Sequence, residues 1–167
     1  HARAVVKIYW TAGDSQRGYR RPKPLRPHRI LRLGAWPGTA DTRKGPWTLR
    51  LCDQRMSENP SLARIKHLNR LDQVLARSEW TNADVDEGVM LGQDGRVLCG
   101  TMSNLFIQRD DALITPSLES AGIAGVVRDL VLQLGESRRM TVREQRVSRE
   151  QLEHSDAAYV TNSLIGV

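Results

Sequence analysis

Short apolar runs closed by turn-forming residues recur along this chain, and their period changes from two to nearly four and back. Residues 4–12 (AVVKIYWTA) are rich in β-branched and aromatic side chains, which predicts a strand ending at Gly13-Asp14. HRILRLGAW alternates Ile30 and Arg32 against Leu31 and Leu33, a second strand, and WTLRLCD after Pro37–Pro46 reads as a third. Leu68, Leu71, Val74 and Leu75 then recur at helical spacing, predicting a helix from about His67 to Trp80 with that face buried, ended by the turn chemistry of Thr81-Asn82-Ala83-Asp84. Asp94-Gly95 between apolar runs predicts a hairpin, and Asp110-Asp111 repeats the device. A second helix is expected over 124–134, with Val127, Leu130, Val131 and Leu134 on a core-facing stripe and Gly135 as its stop. TVREQRV, SREQLEHSD and AAYVTN close the chain as strand, short helix and strand. The alternation of strands and helices places the chain in the α/β class.

Composition narrows the possibilities. A chain of 167 residues with 40% hydrophobic and 26% charged residues is ordinary for a soluble globular protein, and a single domain over 1–167 is expected. No apolar run approaches the length of a membrane span, and no basic-apolar leader opens the sequence, so a cytoplasmic location without membrane partners is expected. Cys52 and Cys99 have no metal-ligand spacing, and two cysteines make no disulfide framework; no metal site is expected. The formal charge of +6 raises the question of nucleic acid, most of all in the basic, proline-bearing loop over 13–27. That loop carries a single aromatic residue, Tyr19, and no stacking array, which argues against nucleic-acid binding. A basic loop that draws a small anionic substrate, or is simply solvated, accounts for it.

Candidate chemistry centres on Lys66. Lysines are scarce here, four against twenty-one arginines, and only a primary amine can condense with an aldehyde; Lys66 stands at the mouth of the first predicted helix, where it can point into a cleft or lie solvated. Residues 121–125 (AGIAG) let a backbone approach an anion closely, and the first N–H groups of the helix that follows carry the positive end of its dipole; alternatively these glycines only turn strand into helix. His67 could relay protons beside Lys66 or serve as a cap. His1, His28 and His154 have no partners at ligand spacing, and Ser103 is read as bonding the backbone.

Four segments carry a resemblance. IKHLNRLDQVL, GRVLCGTMSNLFI, ITPSLESAGIAGVVRDLVLQL and AAYVTNSLIGV, in this order, resemble the signature segments of the class IV aminotransferases, pyridoxal-phosphate enzymes of fold type IV, in the wording of their aminodeoxychorismate lyase branch. The resemblance implies the C-terminal, cofactor-binding portion of such an enzyme, a barrel-like mixed sheet flanked by helices, with the family's N-terminal domain absent. It implies pyridoxal 5'-phosphate as cofactor, a homodimer, and Lys66 as both covalent anchor and proton-transfer group. It further implies that the amides of Val126 and Val127, with Asn162 and Ser163, hold the phosphate. For the closing pair, the other reading is a polar strand end. Two departures stand out. The position where many relatives place a glutamate against the pyridine nitrogen falls on Cys99, 99 − 66 = 33 residues after the lysine, where a modified partner or a small buried apolar residue would sit. Where relatives read T-R-G, this chain has Thr11-Ala12-Gly13, so the substrate carboxylate lacks its expected arginine unless Arg17, Arg20 or Arg21 replaces it. The expected activity is lyase chemistry on an aminodeoxychorismate-type substrate. The alternatives are a transaminase of the same fold acting on D- or branched-chain amino acids, or a non-catalytic fragment.

Overall fold

Antiparallel pairing of the first two predicted strands is the simplest part of the structure, a computed structural model that describes residues 3–37 and 45–167. Most of the Pro37–Pro46 connection, and His1, lie outside the described residues. Strands β1 (Ala4–Trp10) and β2 (Arg29–Ala35) pair from Ala4↔Ala35 to Trp10↔Arg29 and form a two-stranded sheet of their own. They belong to a compact unit, His1–Arg43, distinct from a second unit, Lys44–Val167. The predicted alternation does not become one-sided burial there: Ile8, Trp10, Leu31 and Leu33 are all exposed. A two-stranded ribbon has no second layer of its own against which to bury a face.

The second unit holds two mixed sheets. In the first, β3 (Leu49–Arg55) runs parallel to β4 (Glu87–Leu91), which pairs antiparallel with β5 (Val97–Gly100) through the predicted Asp94-Gly95 hairpin. In the second, β6 (Asn104–Arg109) lies between β7 (Ala112–Pro116) and β9 (Ala157–Thr161), both antiparallel to it, and β8 (Thr141–Gln145) adds parallel to β7. A bridge between Val97 and Val147, with the Val97 N–H donating to the Val147 carbonyl at 2.8 Å, ties β5 to the chain that leaves β8.

Strand β4 explains why the unit has two cores. Its alternation sends Val89 and Leu91 into one cluster with Val97, Leu105, Ile107, Ile114, Val147 and Val160. Met90 goes to the opposite face with Cys52, Met56, Ala76, Trp80, Leu98, Cys99 and Ala121. A strand buried on both faces carries no polar alternation, which is why residues 88–91 read as a continuous apolar run.

The helices depart from their sequence expectations in ways that packing explains. Helix α1 spans only Leu71–Arg77; residues 67–70 are not helical, and the face predicted to be buried is open, with Leu68, Leu71, Val74 and Leu75 exposed and Ala76 alone fully buried. Helix α2 runs Val126–Ser137, past the predicted stop. Gly135 is buried inside it because a Cβ at that position would strike Val142 of β8, so the glycine serves close helix–strand approach rather than termination. The predicted core stripe is only half covered, Leu130 and Leu134 being exposed, and the most buried side chain of α2 is a cation, Arg128. Its guanidinium donates to Glu144 Oε2 at 2.9 Å and to the Pro116 carbonyl at 3.3 Å, fastening α2 to β8 and to the end of β7. Helix α3 (Arg149–Glu153) opens with a reciprocal capping box between Ser148 and Gln151. Among the described residues no helix is long and apolar enough to cross a membrane.

The Arg128–Glu144 pair gives a stability prediction. Burial pushes the Glu144 carboxyl up, but hydrogen bonding and charge from Arg128, the Leu118 N–H and the Arg64 charge together bring it below its ordinary value. A depressed carboxyl stabilises the fold above its unfolded-state pKa and loses that contribution as pH falls through the folded value. Glu144→Gln should therefore cost about 2 kcal/mol at pH 7, less than a fully buried pair because water reaches Glu144. Urea unfolding curves of the two proteins should converge as the pH falls through the folded-state value of Glu144, which lies below its ordinary value of about 4.3.

Candidate active site

The residue that orders the site is one that sequence reading passed over. Glu87 begins β4, is fully buried, and has both carboxylate oxygens occupied. Oε1 accepts from the Gly88 N–H (2.9 Å), the Thr101 N–H (3.0 Å) and the Thr101 hydroxyl (2.6 Å); Oε2 accepts from the Met102 N–H (3.3 Å) and the Ser103 hydroxyl (2.7 Å). Five donors compensate a desolvated charge and fix the 101–103 turn against the sheet. The Ser103 hydroxyl thus bonds a carboxylate, not the backbone as expected. The available signal was an acidic residue at the head of an apolar strand, followed by a hydroxyl-rich turn, Thr101-Met102-Ser103, after its hairpin partner.

The lysine loop is fixed next. After β3, Asn59 turns the chain, its carbonyl accepting from the Leu62 and Ala63 N–H groups and its own N–H donating to the Ser120 carbonyl at 2.8 Å. Arg64 then bridges to Ile123: its N–H donates to the Gly122 carbonyl and its carbonyl accepts from the Ala124 N–H, both at 3.0 Å. Arg64 adopts φ 70°, uncommon for a non-glycine residue, and this reversal carries the chain into Lys66. Arg70 folds back and donates to the carbonyls on either side of the lysine, Ile65 (3.0 Å) and His67 (2.9 Å). Arg70 is the second residue that sequence reading missed as an individual; only its place in KHLNR was noted. His67 is held below its ordinary pKa by burial and by the Arg70 charge, so it is neutral near pH 7.

Across from the lysine loop stands the N-terminus of α2. Its N-cap, Gly125, is extended (φ −74°, ψ 144°), and no side chain caps the helix. The Asn104 amide donates to the Ile123 carbonyl at 2.8 Å and lies so close that a Cβ on Gly125 would strike its oxygen. The turn thus needs glycine for approach, and the first N–H groups of the helix, those of Val126 and Val127, are left to whatever occupies the space before them.

These elements enclose an open cavity of about 470 Å³. Lys66, Cys99, Val126, Val127, Asn162 and Ser163, the six candidates from sequence, all lie on its wall. So do Arg64, Arg70 and Thr161, whereas among the described residues none on this wall is an aspartate or glutamate. The wall is therefore cationic and suits an anionic occupant. Asn162 shapes the closing turn and presents Ser163: its Oδ1 accepts from the Leu164 (2.8 Å) and Ile165 (3.0 Å) N–H groups, and its amide donates to the Met102 carbonyl (3.2 Å). Cys99 is a buried thiol with its Sγ 3.9 Å from Met56 Sδ. Burial, then the charge of Glu87, push it up to about 12 against the opposing pull of Arg70, so it is not an anion at neutral pH. Arg17, Arg20 and Arg21 are exposed side chains of the 1–43 unit.

A pyridoxal-phosphate group fits these residues by their chemistry. The uncapped helix end and the Ser163 hydroxyl suit a phosphate, and a primary amine suits an aldehyde. The Thr161 hydroxyl, fully buried at the wall without a hydrogen-bond partner, has an unmet need that an occupant can supply.

The amino-transferase class IV family matches residues 1–167. An aminodeoxychorismate lyase from Vibrio harveyi is 36% identical over 166 residues, covering 98% of this chain and 61% of that protein. The crystal structure of 4-amino-4-deoxychorismate lyase from Pseudomonas aeruginosa superposes with a TM-score of 0.88 at 36% identity, over 96% of this chain and 60% of that one. The fold is shared with a branched-chain amino acid aminotransferase from Escherichia coli, with a TM-score of 0.79 and 23% identity over 97% of this chain and 55% of that one. The chain thus spans about three fifths of the length of the two lyases it matches.

Because the turn at 101–103 hangs on one carboxylate, Glu87→Gln should lower the unfolding free energy by about 3 kcal/mol, since an amide turns an N–H toward donors. Thr101→Val should cost about 1 kcal/mol. Urea denaturation monitored by tryptophan fluorescence gives both values.

Proposed function

This chain belongs to the class IV aminotransferase family, and from that premise we propose that it forms the cofactor-binding part of a pyridoxal-phosphate-dependent lyase that converts 4-amino-4-deoxychorismate into 4-aminobenzoate and pyruvate, a step of folate biosynthesis. The observation that carries this reading is the placement of Lys66 on the wall of a cationic cavity that also receives the uncapped N-terminus of α2. Bound there, pyridoxal phosphate would supply the electron sink for breaking bonds at a carbon that bears nitrogen.

The chain's own residues divide the work. Val126 and Val127 offer backbone N–H groups and Ser163 a hydroxyl to the phosphate, which fixes the ring by its most charged end. Arg70, by holding the carbonyls of Ile65 and His67, keeps the backbone of Lys66 from swinging. The lysine amine anchors the cofactor and then moves the proton from the substrate carbon that carries nitrogen. Arg64 and Arg70 give the wall a charge complementary to a small dicarboxylate substrate. By family, the working enzyme is a homodimer in the cytoplasm.

A transaminase acting on D- or branched-chain amino acids is the second reading, favoured by the aminotransferase that shares the fold. The two differ in stoichiometry. The lyase releases pyruvate from one substrate with no acceptor, whereas the transaminase requires a keto-acid acceptor and works by ping-pong kinetics.

In the full-length enzyme, Lys66→Ala should abolish pyruvate release and remove the borohydride-stable cofactor adduct, which in the parent protein should map by peptide mass spectrometry to Lys66 and not to Lys7 or Lys23. Pyruvate release surviving in Lys66→Ala would overturn the assignment. Ser163→Ala should weaken cofactor affinity about five-fold, the value of one hydrogen bond, measured by fluorescence titration.

A further inference from the structure

Among the described residues the cavity is lined by three cations and no carboxylate, an imbalance with consequences for the heteroaromatic ring proposed to bind there. A pyridine nitrogen accepts a proton where an anion faces it, and loses that proton to burial and to neighbouring positive charge. Here Lys66 and Arg70 line the wall together with Arg64, whose guanidinium is paired with Glu144 at 3.5 Å, which leaves Arg70 as the side-chain cation that matters here. Glu87, the nearby buried acid, is absent from the lining, and both its oxygens are committed to the five donors of Gly88, Thr101, Met102 and Ser103.

Cys99 is the group the wall offers in place of an acid. It sits in β5, two residues before the turn that Glu87 fixes, and lines the same cavity as Arg70, the residue that brackets Lys66.

Resting on the proposed cofactor site, we infer that Cys99 and Arg70 hold the cofactor's pyridine nitrogen in its unprotonated form, Cys99 as a neutral thiol partner and Arg70 as a cation that disfavours pyridinium.

The thiol meets the requirement because burial and the charge of Glu87 keep it protonated, up to about 12, so it brings no negative charge to the ring. Glu87, Arg70 and Cys52 are the charged and titratable groups acting on it, and Cys52 is itself a buried thiol pushed up to about 12 by burial and then by Glu79. A neutral pyridine is a weaker electron sink than a pyridinium. It suits a reaction whose electrons leave with a departing group, and it handicaps one that stores them on the ring for return to another carbon. An unprotonated ring thus favours lyase over transaminase outcome on chemical grounds beyond substrate fit.

The test uses the full-length enzyme loaded with pyridoxal phosphate labelled with ¹⁵N in the ring. The expected result is a ¹⁵N resonance at the position of an unprotonated pyridine, moved toward the pyridinium position by Cys99→Glu. A pyridinium resonance in the parent enzyme, with the Lys66 adduct present in the same sample, would overturn the inference and leave the proposed function standing. Absence of a Lys66 adduct would overturn both. A second measurement needs no variant: the 1-deaza analogue of the cofactor, which lacks the ring nitrogen, should bind less than about ten-fold more weakly than the cofactor itself, as for loss of a neutral hydrogen bond. A loss well above ten-fold would indicate a charge-assisted partner and overturn the inference.

Discussion

The site depends on the removal of one carboxylate from water. Glu87 is stable in the interior because five donors converge on it, and four of them come from the turn over 101–103 that leaves β5. An ionised group left alone there would be intolerable, so the turn has little freedom to relax. Everything downstream inherits that fixity. Cys99 and Gly100 precede the turn, Asn104 follows it, and Asn104 in turn supports the Ile123 carbonyl and packs against Gly125 at the mouth of α2. A buried charge at the head of β4 thereby sets where a helix dipole points on the far side of the cavity.

A second constraint ties the two reactive walls to each other. Arg64 and Ile123 are bridged through the backbone, so the loop that carries Lys66 and the turn that opens α2 move as one piece. Position is what a covalent anchor and an anion site need from a protein, since small displacement between them would cost orientation at the reacting carbon. Arg70 extends the same logic locally by spanning the carbonyls beside the lysine. Behind the anion site, Arg128 and Glu144 clamp α2 to β8, with Gly135 allowing the helix to lie close on Val142.

Much of this was legible in the sequence wherever local chemistry settles the answer. Turn dipeptides placed both hairpins, the short helix read in SREQLEHSD became α3 (Arg149–Glu153), and the scarcity of lysine singled out Lys66. What was not legible were residues whose roles depend on partners distant in the chain. Glu87 becomes a cornerstone only when residues 14 to 16 positions later turn back onto it. Arg128 interrupts an apolar stripe, and nothing local says that its partner is Glu144. The helical periodicity of Leu68, Leu71, Val74 and Leu75 predicted a buried face, yet periodicity reports only that one side is apolar, not that this stretch of chain covers it. Gly135 was misjudged for a related reason: a glycine near a helix end reads as a stop unless the strand pressed against it is known.

The distribution of work between backbone and side chains explains why the anion site could be found at all. Phosphate recognition by the N–H groups of Val126 and Val127, as proposed, would ask nothing of those side chains, and Val126 is exposed. What it asks for is a helix that begins without a cap and a residue before it slim enough to let Asn104 come close, which is what Gly125 provides. The chemical group that would do the holding is thus invisible in the sequence, and its trace is the glycine. The opposite holds for the lysine wall, where the side chain is the chemistry and the trace is the residue type. A site built half from main chain and half from side chain is therefore read by two different signals, and the two coincide only where the fold joins Arg64 to Ile123.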